Sequence, residues 1–253
     1  MGIEDLPQKD KKLRHRVLND IRAAASPKDA LWLVDGIYGR GGYDIEFSPL
    51  LENLGYESFQ ELIDETAERT GRKVQVLDLF GGAYFVHDLT KVSKIIGARL
   101  GNVDDDLVKM YKIVQDQERR RFLKKILAAK QRKIVEGNLY TKKPWNEIKK
   151  EAGSGFDLIV CRPVGHFTED LTKVEDPTGK MIGEIMVSLL ERTLGLLSEK
   201  GILISEVPVS VLDSPNSWDE FLNSYVAKKK AEGYKFIFPS TEKPPKTFAV
   251  EKQ

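Results

Sequence analysis

The residues best suited to chemistry are an aspartate and two glycines that follow an apolar run. Val74 to Leu79 has the aliphatic content of a buried parallel strand, and Asp78 lies near its end, just before Gly81 and Gly82. Glycines in that place let the backbone turn tightly, let a ligand approach closely and leave the N–H groups of a following helix free to bind it. The stretch therefore predicts either a cofactor-binding turn or an ordinary connection between a strand and a helix.

The segment from Asp5 to Gly71 has the apolar spacing of helices and few strand signals. One helix has its apolar positions between Phe59 and Ala67, and Gly71 is placed to end it. Earlier in the segment, the glycine-rich stretch from Ile37 to Asp44 predicts either a mobile cover over a ligand or a simple linker. We expect this region to be a helical segment that precedes a sheet in the chain.

From residue 74 onward the sequence alternates strands and helices, which is the pattern of a parallel sheet with helices on both faces. The predicted elements are strands over 74–79, 95–103, 134–135, 156–161, 202–204, 234–238 and 247–250, and helices over 83–92, 107–127, 178–198 and 218–226. The helix over 178–198 has apolar residues three and four positions apart, so one of its faces is expected to pack on the sheet.

Composition sets the class of protein. With 253 residues, 41% of them hydrophobic, the chain can bury the core of one large α/β domain with an extension. The 40 basic and 39 acidic residues nearly cancel, so the overall charge requires neither nucleic acid nor a membrane as a partner. Cys161 is the single cysteine, which excludes an internal disulfide and a multi-cysteine zinc site.

Two targeting signals are absent from the sequence. It has no apolar run of about 18 residues that would span a membrane, and the N-terminal residues lack the apolar centre of a signal peptide. We therefore expect a cytoplasmic location and no membrane partner.

Five motifs occur in a fixed order, each on the expected type of element: VLDLFGG, a strand ending in NVD, IVEGN, FDLIVCRP and LLSEKGILI. This series resembles the class I methyltransferases that use S-adenosylmethionine, and the resemblance covers the chain from about Lys73 to the C-terminus. It implies a three-layer Rossmann-like sandwich around a mostly parallel seven-stranded sheet with an antiparallel last strand. The chain then divides into a helical N-terminal extension over 1–72 and a methyltransferase-like Rossmann domain over 73–253.

The resemblance also implies which residues bind S-adenosylmethionine. Asp78 corresponds to the acid beside the methionine end of the cofactor, and Asp104 to the acid that accepts hydrogen bonds from the ribose hydroxyls. Asn138 stands where the family usually has an aspartate that contacts the adenine amino group. The complete implied set is Asp78, Phe80, Gly81, Gly82, Ala83, Asp104, Asn138, Leu139 and Cys161.

The sequence departs from the family pattern in two places. Phe80 and Tyr84 replace the first and third glycines of the first motif, so the ring of Tyr84 must point away from the cofactor or stack against it. After Cys161, the Asn-Pro-Pro-aromatic signature of methylases that act on adenine or glutamine amino groups is reduced to a single proline. The glycine pattern of dinucleotide-binding proteins is also absent, which makes an NAD enzyme less favourable.

Two residues near the end of the fourth strand are the catalytic candidates. His166 lies in the loop that follows the strand and titrates near neutrality, so it is either a general base or a surface histidine. Arg162 either holds an anionic substrate or pairs with Glu206 at the neighbouring strand end. Cys161 is expected to be a small buried residue rather than a nucleophile.

The basic run from Glu118 to Lys133 is the one candidate for a nucleic-acid interface. Its cations surround much of a predicted helix, which either follows phosphates or is simply a solvated face. The sequence therefore predicts methyl transfer from S-adenosylmethionine to an unidentified acceptor, a small molecule or RNA. The alternatives are a non-catalytic cofactor-binding or interaction domain, and an RNA-associated methyltransferase or RNA-binding module.

Overall fold

A computed structural model describes residues 40–81, 86, 89–99, 132–137, 139, 142–162, 180–207, 221–240 and 245–252. The strands are β1 (Val74–Leu79), β2 (Val92–Arg99), β3 (Arg132–Glu136), β4 (Phe156–Cys161), β5 (Leu197–Glu206), β6 (Tyr234–Ile237) and β7 (Thr247–Lys252). The helices are α1 (Arg40–Leu54), α2 (Phe59–Thr70), α3 (Lys142–Ala152), α4 (Lys180–Leu194) and α5 (Ala227–Ala231), the last preceded by a π-helical segment, Phe221–Val226.

The seven strands form one sheet in the order β3-β2-β1-β4-β5-β7-β6. β1 to β5 pair in parallel, whereas β7 is antiparallel to both β5 and β6. The predicted mostly parallel seven-stranded sheet with an antiparallel last strand is therefore confirmed. β1 lies between β2 and β4, so the strand order reverses there, and open α/β sheets bind ligands at the carboxyl ends of the strands beside such a point.

Helices cover both faces of the sheet and make the three-layer sandwich. The first face packs against α1 and α2, and its core contains Tyr43, Phe47, Leu50, Phe59, Leu62, Ile63, Val74, Val76, Leu158, Val160, Ile202 and Ile204. The second face packs against α3 and α4, and its core contains Leu77, Leu79, Trp145, Ile148, Ile159, Leu189, Leu190, Leu194 and Leu203. No helix in these ranges is long and apolar enough to cross a membrane.

α2 has the boundaries that its sequence predicts. Ser58 is the N-cap residue, and its side-chain oxygen accepts a hydrogen bond from the N–H of Glu61 at 3.4 Å. Gly71 ends the helix in the left-handed conformation, with φ 67°. Phe59, Leu62 and the other apolar positions of this helix are buried, which confirms the predicted face.

α1 corrects the prediction of a loop from Ile37 to Asp44. The helix already begins at Arg40, so the second half of that stretch is helical and is neither a cover nor a linker. Glycine in a helix costs only about 1 kcal/mol, and the buried side chains of Tyr43, Phe47 and Leu50 provide a larger stabilisation.

Two further boundaries differ from the prediction because strand pairing outweighs local apolar spacing. β2 begins at Val92 rather than Ile95 because Val92 pairs with Val74, so the helix predicted over 83–92 is wrong at its end. α4 ends at Leu194 and not at residue 198, because Leu197 pairs with Phe156 as the first residue of β5.

The end of the basic run also differs from the prediction. Arg132 and Lys133 lie in β3 and not in a helix. The Nζ atom of Lys133 is 2.7 Å from Oε1 of Glu151 and 3.4 Å from Oε1 of Glu147, both on α3. This lysine is thus paired with acidic side chains, while residues 118–131 lie outside the described residues.

Candidate functional site

Asp78 is a buried carboxylate at the carboxyl end of β1. Because side chains alternate along a strand, it lies on the same face as Val74 and Val76, beneath α1 and α2. The hydroxyl of Tyr43, in the first turns of α1, donates to its Oδ1 at 3.0 Å and is 3.2 Å from its Oδ2. A residue far away in the sequence thus helps to compensate for the burial of this charge.

The turn after β1 is built closely around that carboxylate. Phe80 has φ 67°, in the left-handed region where glycine is favoured, and its N–H donates to the carbonyl of Ala98 at 2.7 Å. Such a conformation costs a residue with a side chain about 1 to 2 kcal/mol. At Gly81, any Cβ atom would overlap the carboxylate of Asp78, so only glycine fits there.

Arg162 and Glu206 form an ion pair at the carboxyl ends of β4 and β5. Nε of Arg162 lies 3.0 Å from Oε1 of Glu206, and a second guanidinium nitrogen lies 3.9 Å from Oε2 of Glu46 on α1. The guanidinium also lies over the ring of Tyr43, 5.1 Å from its centroid. Of the two interpretations of Arg162, the structure therefore shows the pair with Glu206.

These groups form one connected polar cluster, which we call the strand-end cluster: Tyr43, Glu46, Asp78, Arg162 and Glu206. Burial and the nearby charge of Asp78 raise the pKa of Tyr43 well above its usual value, so its hydroxyl stays protonated. Burial raises the pKa of Glu206 to about 7, against the opposing effect of Arg162. Although burial disfavours the charged guanidinium, the carboxylate of Glu206 raises the pKa of Arg162 further above its ordinary value.

Cys161 and Leu139 are both buried. Burial raises the pKa of the Cys161 thiol to about 12, so it is uncharged at neutral pH and unsuited to be a nucleophile. The carbonyl of Leu139 accepts a hydrogen bond from Nε1 of Trp145 at 2.6 Å, which ties the segment after β3 to α3.

The structure brings only some of the predicted site residues together. Asp78, Phe80, Gly81 and Arg162 meet at the ends of β1 and β4, where the N–H of Arg162 donates to the carbonyl of Leu79 at 3.2 Å. Six residues that the sequence singles out lie outside the described residues: Gly82, Ala83, Tyr84, Asp104, Asn138 and His166.

Two members of the strand-end cluster were missed from the sequence. Tyr43 lies in the glycine-rich stretch that predicted a loop, so its link to Asp78 was not recognised. Glu46, three residues later on the same helix, belongs to no motif. The helical spacing of Tyr43, Phe47 and Leu50 was the signal that α1 begins early enough to reach the site.

The strand order decides the architecture. A parallel sheet ordered β3-β2-β1-β4-β5, extended by an antiparallel β7 and then β6, has its acidic turn beside the point of reversal. This is the class I methyltransferase fold. The topology is thus the one that the resemblance of the five motifs implies.

Comparisons with known proteins find only low similarity. No family model matches the sequence, and no curated protein matches it. A solved structure of a proposed methyltransferase from Streptococcus mutans, in complex with S-adenosylhomocysteine, is 15% identical with a TM-score of 0.44, over 76% of this chain and 97% of that one. An O-methyltransferase family protein from Burkholderia thailandensis is 14% identical with a TM-score of 0.42, over 97% of this chain and 70% of that one.

An rRNA methylase from Streptococcus thermophilus is 10% identical with a TM-score of 0.38, over 71% of this chain and 86% of that one. At these identities and TM-scores, the assignment of the class I methyltransferase fold rests on the strand order and not on the matched structures.

Proposed function

We propose that this protein transfers a methyl group from S-adenosylmethionine to an acceptor. The observation that supports the proposal best is the buried carboxylate of Asp78, placed at the point of strand reversal with Gly81 closely packed against it. A buried acid, a tight glycine turn and a reversal of strand order are the features that a cofactor needs at this place in the fold. Asp78, Phe80 and Gly81 fit the methionine end of the cofactor.

The other assignments for the cofactor come from the sequence resemblance. Leu139 and Cys161 would border the cofactor from the ends of β3 and β4. Gly82 and Ala83 would continue the glycine turn, Asp104 would bind the ribose, and Asn138 would contact the adenine. These remain proposals.

The cofactor supplies a methyl group that is already activated on a sulfonium. The protein needs mainly to hold the acceptor in line and to exclude water, and good alignment alone supplies on the order of 7 kcal/mol or more. Arg162 and Glu206 supply polar side chains at the neighbouring strand ends. From the sequence alone, His166 is proposed as a general base for an acceptor that carries a proton, and Glu206 is the alternative base among the described residues.

Calorimetric titration with S-adenosylmethionine and with S-adenosylhomocysteine tests the proposal. We expect saturable binding of both compounds at one site per chain. If neither compound shows binding at millimolar concentration, the proposed function is refuted.

A non-catalytic domain that binds the cofactor or another partner is the second candidate, and one observation favours it. The Tyr43 hydroxyl lies within hydrogen-bond distance of both oxygens of Asp78, so this carboxylate is stabilised within the chain without a cofactor. Incubation with S-adenosylmethionine labelled in its methyl group separates the candidates. Binding without any transfer of label to a broad panel of acceptors, RNA included, would favour the non-catalytic domain.

The RNA-associated alternative has less support from the described residues. Lys133, in the last part of the basic run, is paired with Glu147 and Glu151 rather than free to contact phosphate. Retention on heparin that persists after Lys124 and Lys125 are changed to Glu would argue against a role of the basic run.

A further inference from the structure

Glu206 occupies a position in the sheet from which it faces the ligand crevice. Its side chain follows Ile202 and Ile204 on the face covered by α1 and α2, which is also the face of Asp78. It lies at the carboxyl end of β5, next to the end of β4, where Cys161 pairs with Ser205. Ligands of open α/β sheets bind beyond these strand ends.

Among the described residues, the charges around Glu206 make this position unfavourable for an anion. The strand-end cluster holds three carboxylates, on Glu46, Asp78 and Glu206, and one guanidinium, on Arg162. Arg162 is engaged by Glu206 and Glu46 and lies over the Tyr43 ring, so it is not available to hold an anionic acceptor. An excess of negative charge selects for cations and hydrogen-bond donors.

A second polar group lies next to Glu206 on the neighbouring strand. Thr247, the first residue of β7, pairs directly with Glu206, so both side chains lie on the same face of the sheet. Thr247 is only 2% exposed, and its Oγ1 atom has no hydrogen-bond partner in the described part of the chain. A buried hydroxyl without a partner costs about 1 to 3 kcal/mol, which a polar ligand would relieve.

Glu206 also has a second carboxylate oxygen, Oε2. Its contact with Nε of Arg162 uses Oε1, and the described residues supply no hydrogen bond to Oε2. Its side chain is 16% exposed, so it is mostly desolvated but still reachable. The cross-strand pair therefore places a carboxylate and a hydroxyl side by side on one face of the sheet.

We propose that Glu206 and Thr247 form the acceptor subsite of this protein, and that the acceptor is an amine. The inference rests on the proposed methyl transfer and names its substrate class. The nitrogen lone pair forms the new N–C bond, the C–S bond breaks with its electron pair moving to sulfur, and a proton passes from nitrogen to the carboxylate of Glu206. S-adenosylhomocysteine and the methylated amine are the products.

The environment of Glu206 suits that proton transfer. Burial raises its pKa to about 7, which makes it a carboxylate able to accept a proton near neutral pH. In the part of the chain that the structure describes, the charged groups that act on its pKa are Arg162, which opposes this shift, and Glu46, which adds to it. Tyr43 and the Cys161 thiol stay protonated at neutral pH and do not compete for the proton.

Binding of three matched probes tests the subsite: benzylamine, benzoate and phenyl phosphate, each titrated with and without S-adenosylhomocysteine. We expect benzylamine to bind at least about tenfold more tightly than either anion, and Glu206→Gln to weaken benzylamine by about tenfold, as expected for loss of a charge-assisted hydrogen bond. Thr247→Val, which keeps the side-chain shape, should also weaken benzylamine and provides a test if the first variant folds poorly.

Glu251→Gln is the matched control, because Glu251 lies on the same strand as Thr247 but pairs with Ile202 and binds Lys235 away from the site. It should leave benzylamine binding unchanged. Equal or tighter binding of the anions, no saturable benzylamine binding, or unchanged affinity in both site variants would overturn the proposal. Benzylamine binding by protein that does not bind S-adenosylhomocysteine would support the subsite and refute the proposed function.

Discussion

The contact between Tyr43 and Asp78 determines how the carboxyl end of β1 is held. A buried carboxylate needs donors to offset its desolvation, and the Tyr43 hydroxyl is one of them, at 3.0 Å from Oδ1. The ring of Tyr43 also lies under the guanidinium of Arg162. One side chain of α1 therefore contacts the groups at the ends of two neighbouring strands.

Tyr43→Phe should lower the free energy of unfolding by about 2 kcal/mol, because it removes a hydrogen bond to a buried charge and leaves the ring in place. Denaturant unfolding measures this change. Tyr56→Phe is the matched control, since Tyr56 is only half-buried and lies outside the strand-end cluster, and it should cost less than about 1 kcal/mol. Equal losses in the two variants would show that the Tyr43 hydroxyl has no special role.

The raised pKa of Glu206 makes the free energy of unfolding depend on pH in a definite direction. Burial raises its pKa in the folded state from an ordinary 4.5 to about 7, so between these values the folded protein binds more protons than the unfolded chain. The contribution of Glu206 to the free energy of unfolding is therefore greatest at low pH and falls as pH rises from about 4.5 to 7. Subtracting the profile of Glu206→Gln from that of the wild type isolates it. A difference that rises with pH would mean that Arg162 outweighs burial.

Some site residues were predictable from the sequence and others were not. Asp78 and Gly81 were found because a local pattern of strand, acid and glycine carries the information. The pair of Arg162 with Glu206 was one of two interpretations, because sequence order cannot tell which strand ends are neighbours. Tyr43 was missed as a partner of Asp78 because they are 35 positions apart and only the packing of α1 brings them together.

At the scale of elements, the turn after β1 is the part of the fold most tightly constrained by its own sequence. Phe80 holds a left-handed conformation, and Gly81 has the Asp78 carboxylate where a side chain would begin. The backbone of this turn and the fixed carboxylate of Asp78 therefore both border the end of β1.

Gly81→Ala should abolish binding of S-adenosylhomocysteine and lower the free energy of unfolding by about 2 kcal/mol, because the added methyl group displaces the Asp78 carboxylate. Calorimetry and denaturant unfolding measure the two effects. Gly195→Ala is the matched control, since the added atom there meets only ordinary contacts at the end of α4. Intact binding in Gly81→Ala would separate the turn from the cofactor site.

The sequence predicted elements best where a whole strand is buried. It predicted them worst where the apolar spacing of a helix continues into the next strand. The apolar run of β4 was predicted with its observed bounds, Phe156–Cys161. The apolar spacing of α4 continues through Leu197, yet that residue starts β5 because it pairs with Phe156. The pairing of two strands that are distant in the sequence set that boundary, and a short stretch of sequence carries no information about such pairing.

At the scale of the whole molecule, α1 and α2 form one layer of the sandwich. Their buried residues share a core with Val76, Val160 and Ile204, which belong to the three central parallel strands. The division of the chain at residue 72 stays a prediction from sequence character. The described contacts join the two sides of that division in one apolar core and, through Tyr43 and Glu46, in one polar cluster.

The central claim is that S-adenosylmethionine binds at the carboxyl ends of β1 and β4, and a crystal structure of the protein grown with S-adenosylhomocysteine tests it most directly. We predict electron density for the ligand beside the Phe80–Gly81 turn, with its methionine end near the carboxylate of Asp78. Density for the ligand at any other place, or crystals in which saturating ligand leaves that crevice empty, would contradict the account.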